Sequence, residues 1–237
     1  MVVSQSLASS DIGVEILNMG GNAIDAAVAV GFSLAITLPR AGNLGGSGFM
    51  LVYLESEQKT IAIDFRGAAP ANISSDEFLF LKNNYDERRY GYKASAVPGT
   101  VAGLLQSHER YGVLPLKQIL EPVIKQAVNG IVVSYDLSQA IGSAVQIKLD
   151  EESKKTYYEN NAPIEQHSII KRVDLAWTLN EIAKDGEQAF YSGSIAKKII
   201  QAMQDNDGYI TAEDLSNYEP RFCLLYTSDA ADEVDRG

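Results

Sequence analysis

The feature that most constrains the fold is an apolar segment at residues 26–39. It is too short to cross a bilayer, which needs about 20 apolar residues. Alanine and valine occupy nearly every side of it, and a helix that is apolar all round is normally covered on every face. We therefore predict a helix inside a layered fold, capped by Asn22 and ended by Pro39. Four of its side chains are expected to be mostly buried: Val28, Val30, Leu34 and Ile36.

An antiparallel hairpin is predicted next along the chain. Two β-like runs, 49–55 and 60–65, are joined by a polar link of hairpin length. Most of the remaining sequence has helical periodicity. Helices stacked on an antiparallel sheet give the α+β fold class. The other predicted helices span 7–19, 75–82, 100–111, 116–128, 136–149, 173–184 and 194–204, and Thr211 is expected to cap a last short one.

The glycine-rich loop between helix and hairpin, residues 42–48, has two interpretations. Glycine lets a ligand or another backbone segment approach closely, which would suit a phosphate site. However, the loop has no Gly-Lys-Ser/Thr ending, and it leads into a strand rather than a helix N-terminus. A tight passage between helix and sheet is therefore favoured.

Charge and residue spacing narrow the possible partners. The chain has 20 Lys and Arg against 31 Asp and Glu, a net charge of −11, so a nucleic-acid partner is not expected. His108 and His167 stand apart from any cluster with metal-ligand spacing, and His108 is expected to be solvated. We predict no metal, no cofactor, no catalytic residue and no membrane span within this chain, and its N-terminus has no signal peptide.

The segment from Cys223 onward resembles a translated sequencing adaptor. A segment of that origin belongs to no element of a fold and is excluded from fold reasoning. A genuine acidic tail is the alternative. We predict one domain at residues 1–221 and a non-native tail at 222–237, with the natural protein continuing beyond Arg221.

Arg66 is the candidate binding residue. It ends the second β-like run and enters a turn of small residues, 67–70. A strand end presents a side chain rigidly, and a guanidinium can bind a carboxylate through two parallel hydrogen bonds. From spacing alone, a structural pair with Asp64 or a solvated side chain is at least as well supported.

Several segments together resemble the γ-glutamyltranspeptidases, a family of the N-terminal-nucleophile hydrolase superfamily. They run in family order from Met1 to about Pro220, and five of them are specific at family level. Two positions depart from the family pattern: Gly67 stands where an acidic residue is common, and Ser47 replaces a loop glycine. The segments are 1–4, 20–29, 41–50, 64–66 with 69–70, and 98–103, with weaker similarity at 190–193 and 208–215.

The resemblance implies that this chain is the large-subunit part of a four-layer αββα sandwich. Family members are precursors that cleave themselves into a large and a small subunit. The new N-terminal threonine of the small subunit is the nucleophile, and its own α-amine is the base. That threonine is expected beyond this chain, so the fragment alone is predicted to be inactive. Arg66 matches the position that holds the α-carboxylate of the γ-glutamyl group.

The implied function is transfer or hydrolysis of the γ-glutamyl group of glutathione and related compounds. The implied partners are that small-molecule substrate and the small subunit of the same precursor. Two alternatives stay open. One is another acylase of this fold, either cephalosporin-acylase-like or capsule-transpeptidating, which Gly67 leaves possible. The other is a non-catalytic small-molecule-binding domain. Bacterial members are usually exported, which implies a periplasmic or extracellular location and a leader absent from this chain.

Overall fold

A capping box starts the central helix, α2 (Ala23–Thr37). In the computed structural model, which describes residues 1–224, the Asn22 side chain accepts hydrogen bonds from the backbone N–H groups of Ile24 and Asp25. The Asp25 carboxylate accepts in return from the N–H of Asn22. These bonds satisfy first-turn groups that have no partner within the helix. The predicted cap is confirmed.

Helix α2 lies in the main core and is covered on more than one side, as predicted. It packs against α1 (Leu7–Asn18), α4 (Thr100–Tyr111) and α5 (Leu116–Asn129). Phe32 is fully buried among them. Burying an apolar side chain of this size stabilises the fold by about 1.5–3 kcal/mol, so the all-round apolar surface of α2 fixes its central place. Four side chains were expected inside. Leu34 is half-buried, and the other three are buried: Val28, Val30 and Ile36.

A three-stranded antiparallel sheet lies beside this core. β1 (Gly48–Leu54) and β2 (Lys59–Phe65) form the predicted hairpin, and β7 (Arg221–Leu224) pairs with the other edge of β2. Along β2, Ile61, Ile63 and Phe65 are buried against α4. The alternation of a strand puts their neighbours on the opposite face.

On that opposite face of the sheet, the β1 side chains are large, apolar and exposed. Phe49, Leu51 and Tyr53 of β1 are 65%, 68% and 56% exposed. Their partners on β2, including Ala62, share the same face. Three large apolar side chains in a row on one open strand face mark a surface that a further layer would cover.

The remaining elements include several that the sequence did not predict. The helix expected over 136–149 is wrong in its second half: α6 ends at Ser143, Ala144 leaves the helical conformation, and a 3₁₀ turn follows at Val145–Leu149. Gly142 and Ser143 have low helix propensity, which favours a break there. The other helices are α3 (Ser75–Asn83), α6 (Tyr135–Ser143), α7 (Glu151–Tyr157), α8 (Val173–Asp185), α9 (Glu187–Tyr191), α10 (Ser194–Asp205) and α11 (Ala212–Ser216), and the short strands are β3 (Ile131–Val132), β4 (Tyr158–Glu159), β5 (Ala162–Pro163) and β6 (Ile169–Ile170).

A second, smaller hydrophobic cluster lies under residues 131–170, and we call it the satellite core. Two-residue ladders, β3 with β6 and β4 with β5, enclose it together with α6. Its buried members are Val133, Leu137, Ile141, Tyr158 and Ile170.

The expectation that no residue from Cys223 onward belongs to an element is wrong for two residues. Cys223 and Leu224 pair with Ala62 and Ile61 of β2. The preceding Phe222 is half-buried beneath the Arg110 guanidinium, whose carbon lies 3.6 Å from the ring centroid. Strand pairing extends here because the β2 edge offers free backbone groups. The rest of the predicted tail lies outside the described residues.

Residues 1–224 contain neither a membrane-spanning helix nor a cluster of metal ligands. Among these residues, no helix is long and apolar enough to span a membrane. The same residues contain no group of three His, Cys, Asp or Glu side chains placed to hold a metal ion.

Candidate functional site

Arg66 directly follows β2, where the chain leaves the sheet. Its side chain is exposed and lines an open cavity of about 570 Å³. The opposite wall is formed by residues 211–221, including Asp214 and Tyr218. The cavity therefore brings the end of the hairpin together with a segment far away in sequence.

The backbone of Arg66 is held on both sides. Its N–H donates to Oδ1 of Asp64 at 2.9 Å, and its carbonyl accepts from the Tyr218 hydroxyl at 2.8 Å. Asp64 therefore binds the Arg66 peptide rather than its guanidinium. The structural pair with Asp64 that the sequence left open involves the Arg66 backbone and not its charged side chain. Among residues 1–224, no carboxylate lies within ion-pair distance of that guanidinium.

The guanidinium of Arg66 lies near an aromatic ring of the open sheet face. Its central carbon is 5.9 Å from the ring centroid of Phe49. At this distance a cation is weakly attracted to the ring, which limits the directions in which the side chain can point. The fork of N–H donors is left available to an anion in the cavity.

The turn after Arg66 is clamped against the segment before α4. Ala68 and Val97 exchange two backbone hydrogen bonds, of 3.2 and 2.9 Å. Between them and Arg66, a Cβ on Gly67 would lie 3.0 Å from the Ala96 Cβ and 3.1 Å from the Val97 carbonyl. A larger residue at 67 would need its neighbours to shift slightly, so the departure from the family pattern fits a tight local packing.

Asp214 fixes the end of the same turn. It closes a capping box with Thr211 at the start of α11, and its Oδ1 also accepts from the N–H of Ala71 at 2.8 Å. Burial alone would raise the pKa of Asp214, but the hydrogen bonds from Ala71 and Thr211 outweigh it and lower that pKa below its ordinary value. The carboxylate is charged at neutral pH and holds the 66–71 turn against α11. The predicted Thr211 cap is confirmed.

Two stacked tyrosines connect the site to the core. The rings of Tyr191 and Tyr218 have centroids 5.8 Å apart and are 8° from parallel. The Tyr191 hydroxyl donates to the carbonyl of Pro98 at 2.7 Å and accepts from the N–H of Ala102 at 3.2 Å. Both rings are buried, so the pair spans the space between α9, the start of α4 and Arg66.

The glycine-rich loop is a tight passage, as predicted. The carbonyl of Gly46 accepts from the N–H groups of Gly99 and Thr100, at 2.9 and 3.1 Å. A Cβ on Gly42 would lie 2.7 Å from the side chain of Leu34 in α2. The loop thus binds its own chain, and its backbone joins the helix layer to the turn that carries Arg66.

The expectation that His108 is solvated is wrong. Its side chain is 15% exposed, its Nε2 lies 2.7 Å from the carbonyl of Leu114, and the same nitrogen is 3.8 Å from the buried Asp25 carboxylate. The polar neighbours of His108 in sequence point elsewhere on α4, because adjacent helical residues face different directions. His167 is exposed in its loop.

The profile of the family described as gamma-glutamyltranspeptidase matches residues 9–228. The chain belongs to the γ-glutamyltranspeptidase family. A relative from Escherichia coli K12, named glutathione hydrolase proenzyme, is 42% identical over 224 residues. That match covers 92% of this chain and 38% of the relative, so the chain spans well under half the length of the protein it resembles.

Solved structures agree with the family at the level of the fold. The γ-glutamyltranspeptidase of Helicobacter pylori superposes with a TM-score of 0.88 at 33% identity, covering 98% of this chain and 71% of that one. A cephalosporin acylase from Bacillus halodurans gives 0.84 at 29% identity, covering 93% and 42%. The predicted α+β class, part of an αββα sandwich of the N-terminal-nucleophile hydrolase type, is confirmed.

In this γ-glutamyltranspeptidase chain, Arg66 was a candidate from the sequence, but the residues that hold its carbonyl and its turn were not. Tyr191 and Tyr218 have the spacing of ordinary core and surface aromatics, so nothing in the sequence marks them as a pair. Asp214 carried a usable signal, because Thr211 followed three residues later by an acid is a capping-box pattern. The contact of Asp214 with Ala71 had no such signal.

Proposed function

We propose that this chain is the large-subunit part of an enzyme that transfers or hydrolyses the γ-glutamyl group of glutathione and related γ-glutamyl compounds. Arg66 carries the proposal. Its guanidinium is exposed in a cavity, its backbone is held on both sides, and no described carboxylate lies within ion-pair distance of it. A fixed planar cation is what a substrate recognised by a free α-carboxylate requires. The name of the Escherichia coli relative supports glutathione as the substrate.

The proposed division of labour leaves binding to this chain. Arg66 orients the donor by its α-carboxylate, which brings the γ-carbonyl to the nucleophile. That nucleophile is a threonine outside this chain, activated by its own α-amine. Its hydroxyl attacks the γ-carbonyl and the amine of the donor leaves. Water or an amine acceptor then takes the γ-glutamyl group from the threonine ester. The chain by itself is accordingly expected to be inactive.

The open sheet face supports a partner from the same precursor. Phe49, Leu51 and Tyr53 are each more than half exposed, side by side on one face of the edge strand β1. Stacked sheets pack about 10 Å apart through such faces. We propose that the small subunit covers this face and brings its N-terminal threonine towards Arg66.

An exported location is also proposed, on family grounds. Such a protein acts on γ-glutamyl compounds outside the cytoplasm. Detecting the complete protein in the periplasmic or culture fraction, against a cytoplasmic marker enzyme, tests it. Recovery with the cytoplasmic marker would contradict it.

The test of the function is Arg66→Ala in the complete precursor. KM for a γ-glutamyl anilide should rise roughly ten- to a hundredfold, because a charge-assisted hydrogen bond is lost and its partner is left unsatisfied. Self-cleavage should persist, since it uses a backbone peptide bond and no free α-carboxylate. Arg66→Lys should recover only part of the affinity.

Arg40→Ala is the matched control. Arg40 is an exposed arginine whose side chain pairs with Asp136, away from the cavity. It should change neither KM nor processing. If Arg66→Ala lowers melting temperature and processing together while KM stays the same, Arg66 only braces the strand end and the proposed binding role is wrong.

A second candidate function, that of another acylase of this fold, has support from two observations. Gly67 departs from the family pattern next to Arg66, and the Bacillus halodurans cephalosporin acylase shares the fold closely. The complete protein is assayed with a γ-glutamyl anilide and with amides of other acyl side chains. The substrate class that it turns over distinguishes the two candidate functions. Turnover of neither class would favour a non-catalytic binding domain.

A further inference from the structure

Tyr218 reaches the backbone of Arg66 from a distant part of the chain. It lies two residues beyond α11 and is 8% exposed. Its hydroxyl donates to the Arg66 carbonyl across a sequence separation of 152 residues. A hydroxyl on a buried side chain destabilises the fold unless it is hydrogen-bonded. The Tyr218 hydroxyl makes its bond to one backbone carbonyl beside the candidate site, which is a specific arrangement.

A glycine makes this contact possible. A Cβ on Gly99 would overlap both the Tyr218 hydroxyl and the Phe65 carbonyl. The backbone at Gly99 is itself held by its N–H bond to the Gly46 carbonyl. The hydroxyl therefore enters a gap that exists only because residue 99 has no side chain.

The ring of Tyr218 is held in place by Tyr191. The near-parallel stack fixes the plane of the Tyr218 ring, and the Tyr191 hydroxyl is bonded to the backbone on both sides of Gly99, at Pro98 and Ala102. Burial raises the pKa of Tyr218 to about 12, with the Asp64 charge adding to it, and burial also raises the pKa of Tyr191. Both hydroxyls are thus protonated at physiological pH and can donate.

We propose that Tyr218 is a positioning residue for substrate binding: its hydroxyl fixes the Arg66 peptide and so sets where the guanidinium meets the donor's α-carboxylate. The inference rests on the proposed function of Arg66. Binding groups must be held within about 0.5 Å of their productive position, and residues with locked rotamers do this best. A freed Arg66 carbonyl would let the strand end move relative to the turn, and the guanidinium would move with it.

The experiment compares four variants of the complete precursor: Tyr218→Phe, Arg66→Ala, the double variant, and Tyr158→Phe. Tyr218→Phe keeps the ring and its stack but removes the hydroxyl. KM for a γ-glutamyl anilide should rise about three- to tenfold, the effect of losing one hydrogen bond, while kcat stays within about twofold. With the matching 4-aminobutyryl anilide, which lacks the α-carboxylate, Tyr218→Phe and the wild type should have the same KM.

The double variant tests whether Tyr218 acts through Arg66. In the Arg66→Ala background, adding Tyr218→Phe should raise KM no further, because two residues that act as a unit are not additive. Tyr158→Phe is the control: Tyr158 is also buried, in the satellite core, and its hydroxyl has no hydrogen-bond partner within residues 1–224. It should leave KM unchanged.

Two results would overturn the positioning role. One is an unchanged KM in Tyr218→Phe when Arg66→Ala does raise KM, which refutes this inference and leaves the proposed function standing. The other is an equal rise of KM in both backgrounds, which makes Tyr218 a structural residue only. If Tyr218→Phe is unstable at the assay temperature, the same comparison at a lower temperature decides. An unchanged KM in Arg66→Ala refutes both proposals.

Discussion

Two regions of the molecule are held together in opposite ways. At residues 66–71, which we call the Arg66 turn, contacts join residues far apart in sequence. Tyr218 binds Arg66 and Asp214 binds Ala71, across 152 and 143 residues. Around the satellite core, many of the contacts are local. Ser134 caps α6 through the N–H of Leu137, for example, and the β4–β5 ladder joins residues separated by a tight turn.

The difference indicates which region can open locally and which is expected to open only on global unfolding. A turn held from distant elements can move only if those elements separate, so its geometry is tied to global unfolding. A region held by local contacts can open by itself at a lower cost in free energy. We therefore expect the Arg66 turn to be more rigid than the satellite core.

The largest expected effect comes from removing one buried isoleucine in each region. Ile141 in the satellite core is 2% exposed, and Ile63 on the buried sheet face is 1% exposed. Truncating either to alanine leaves a cavity and should cost about 2–5 kcal/mol of stability. Ile141→Ala should leave KM for a γ-glutamyl anilide within twofold of the wild type. Ile63→Ala should raise KM or reduce processing, because Ile63 lies three residues before Arg66.

Denaturant unfolding, amide hydrogen exchange and KM, measured on the same preparations of the complete protein, check this prediction. Exchange in Ile141→Ala should increase at residues 131–170 and remain slow at the Arg66 turn. If exchange increases equally in both regions, they unfold as one unit and the contrast between them is wrong.

The next prediction uses two glycines inside helices. A Cβ on Gly103 of α4 would overlap the ring of Phe65, whereas a Cβ on Gly142 of α6 would meet nothing within 4 Å. Gly103→Ala should therefore destabilise by about 1–3 kcal/mol through overpacking beside the site. Gly142→Ala should stabilise by about 0.5–1 kcal/mol, because alanine loses less backbone entropy in a helix. The melting temperatures of the two variants and the wild type show whether each substitution stabilises or destabilises the fold.

A loss of stability in Gly142→Ala would mean that the end of α6 packs against a surface absent from residues 1–224. A gain in Gly103→Ala would mean that Phe65 has room to turn, and the tight contact between α4 and the end of β2 would not limit the position of Arg66.

The sequence predicted the parts of the fold that depend on neighbouring residues. The Asn22 and Thr211 caps, the all-apolar α2 and the hairpin each have a local pattern, and each lies where that pattern indicates. Arg66 lies at the predicted strand end, because a strand end and a turn are also local features. The break at Ala144 and the short ladders of the satellite core have weak local signals and were missed.

The contacts that hold the Arg66 backbone could not be predicted in the same way. The partner of its carbonyl, Tyr218, is chosen by how α11 packs on the body of the fold, and no spacing in the sequence encodes that distance. His108 was misjudged for the same reason. Its neighbours in sequence are polar, but its own direction on α4 faces Asp25 and Leu114.

The smallest expected effect concerns charge at Asp214. Asp214→Asn keeps the shape of the side chain and removes the charge that the N–H groups of Ala71 and Thr211 stabilise. Stability should fall by less than about 1 kcal/mol at neutral pH. KM for a γ-glutamyl anilide should rise up to about threefold, since loss of one hydrogen bond frees the end of the turn only in part.

The pH dependence of this effect has a definite sign. Because the folded protein lowers the pKa of Asp214, its carboxylate stabilises the fold fully above its unfolded pKa of about 4, and this contribution is lost as the pH falls through the lower folded value. The melting temperatures of wild type and Asp214→Asn should therefore differ most at neutral pH and converge in acid. Glu77→Gln is the matched control, because Glu77 closes the same kind of box with Ser74 and its pKa is also lowered by those bonds, the backbone one first. Glu77 does not line the cavity at Arg66. Glu77→Gln should therefore show the same convergence of melting temperatures with KM unchanged. An equal rise of KM in both variants would mean that the Asp214–Ala71 contact has no special role at the cavity.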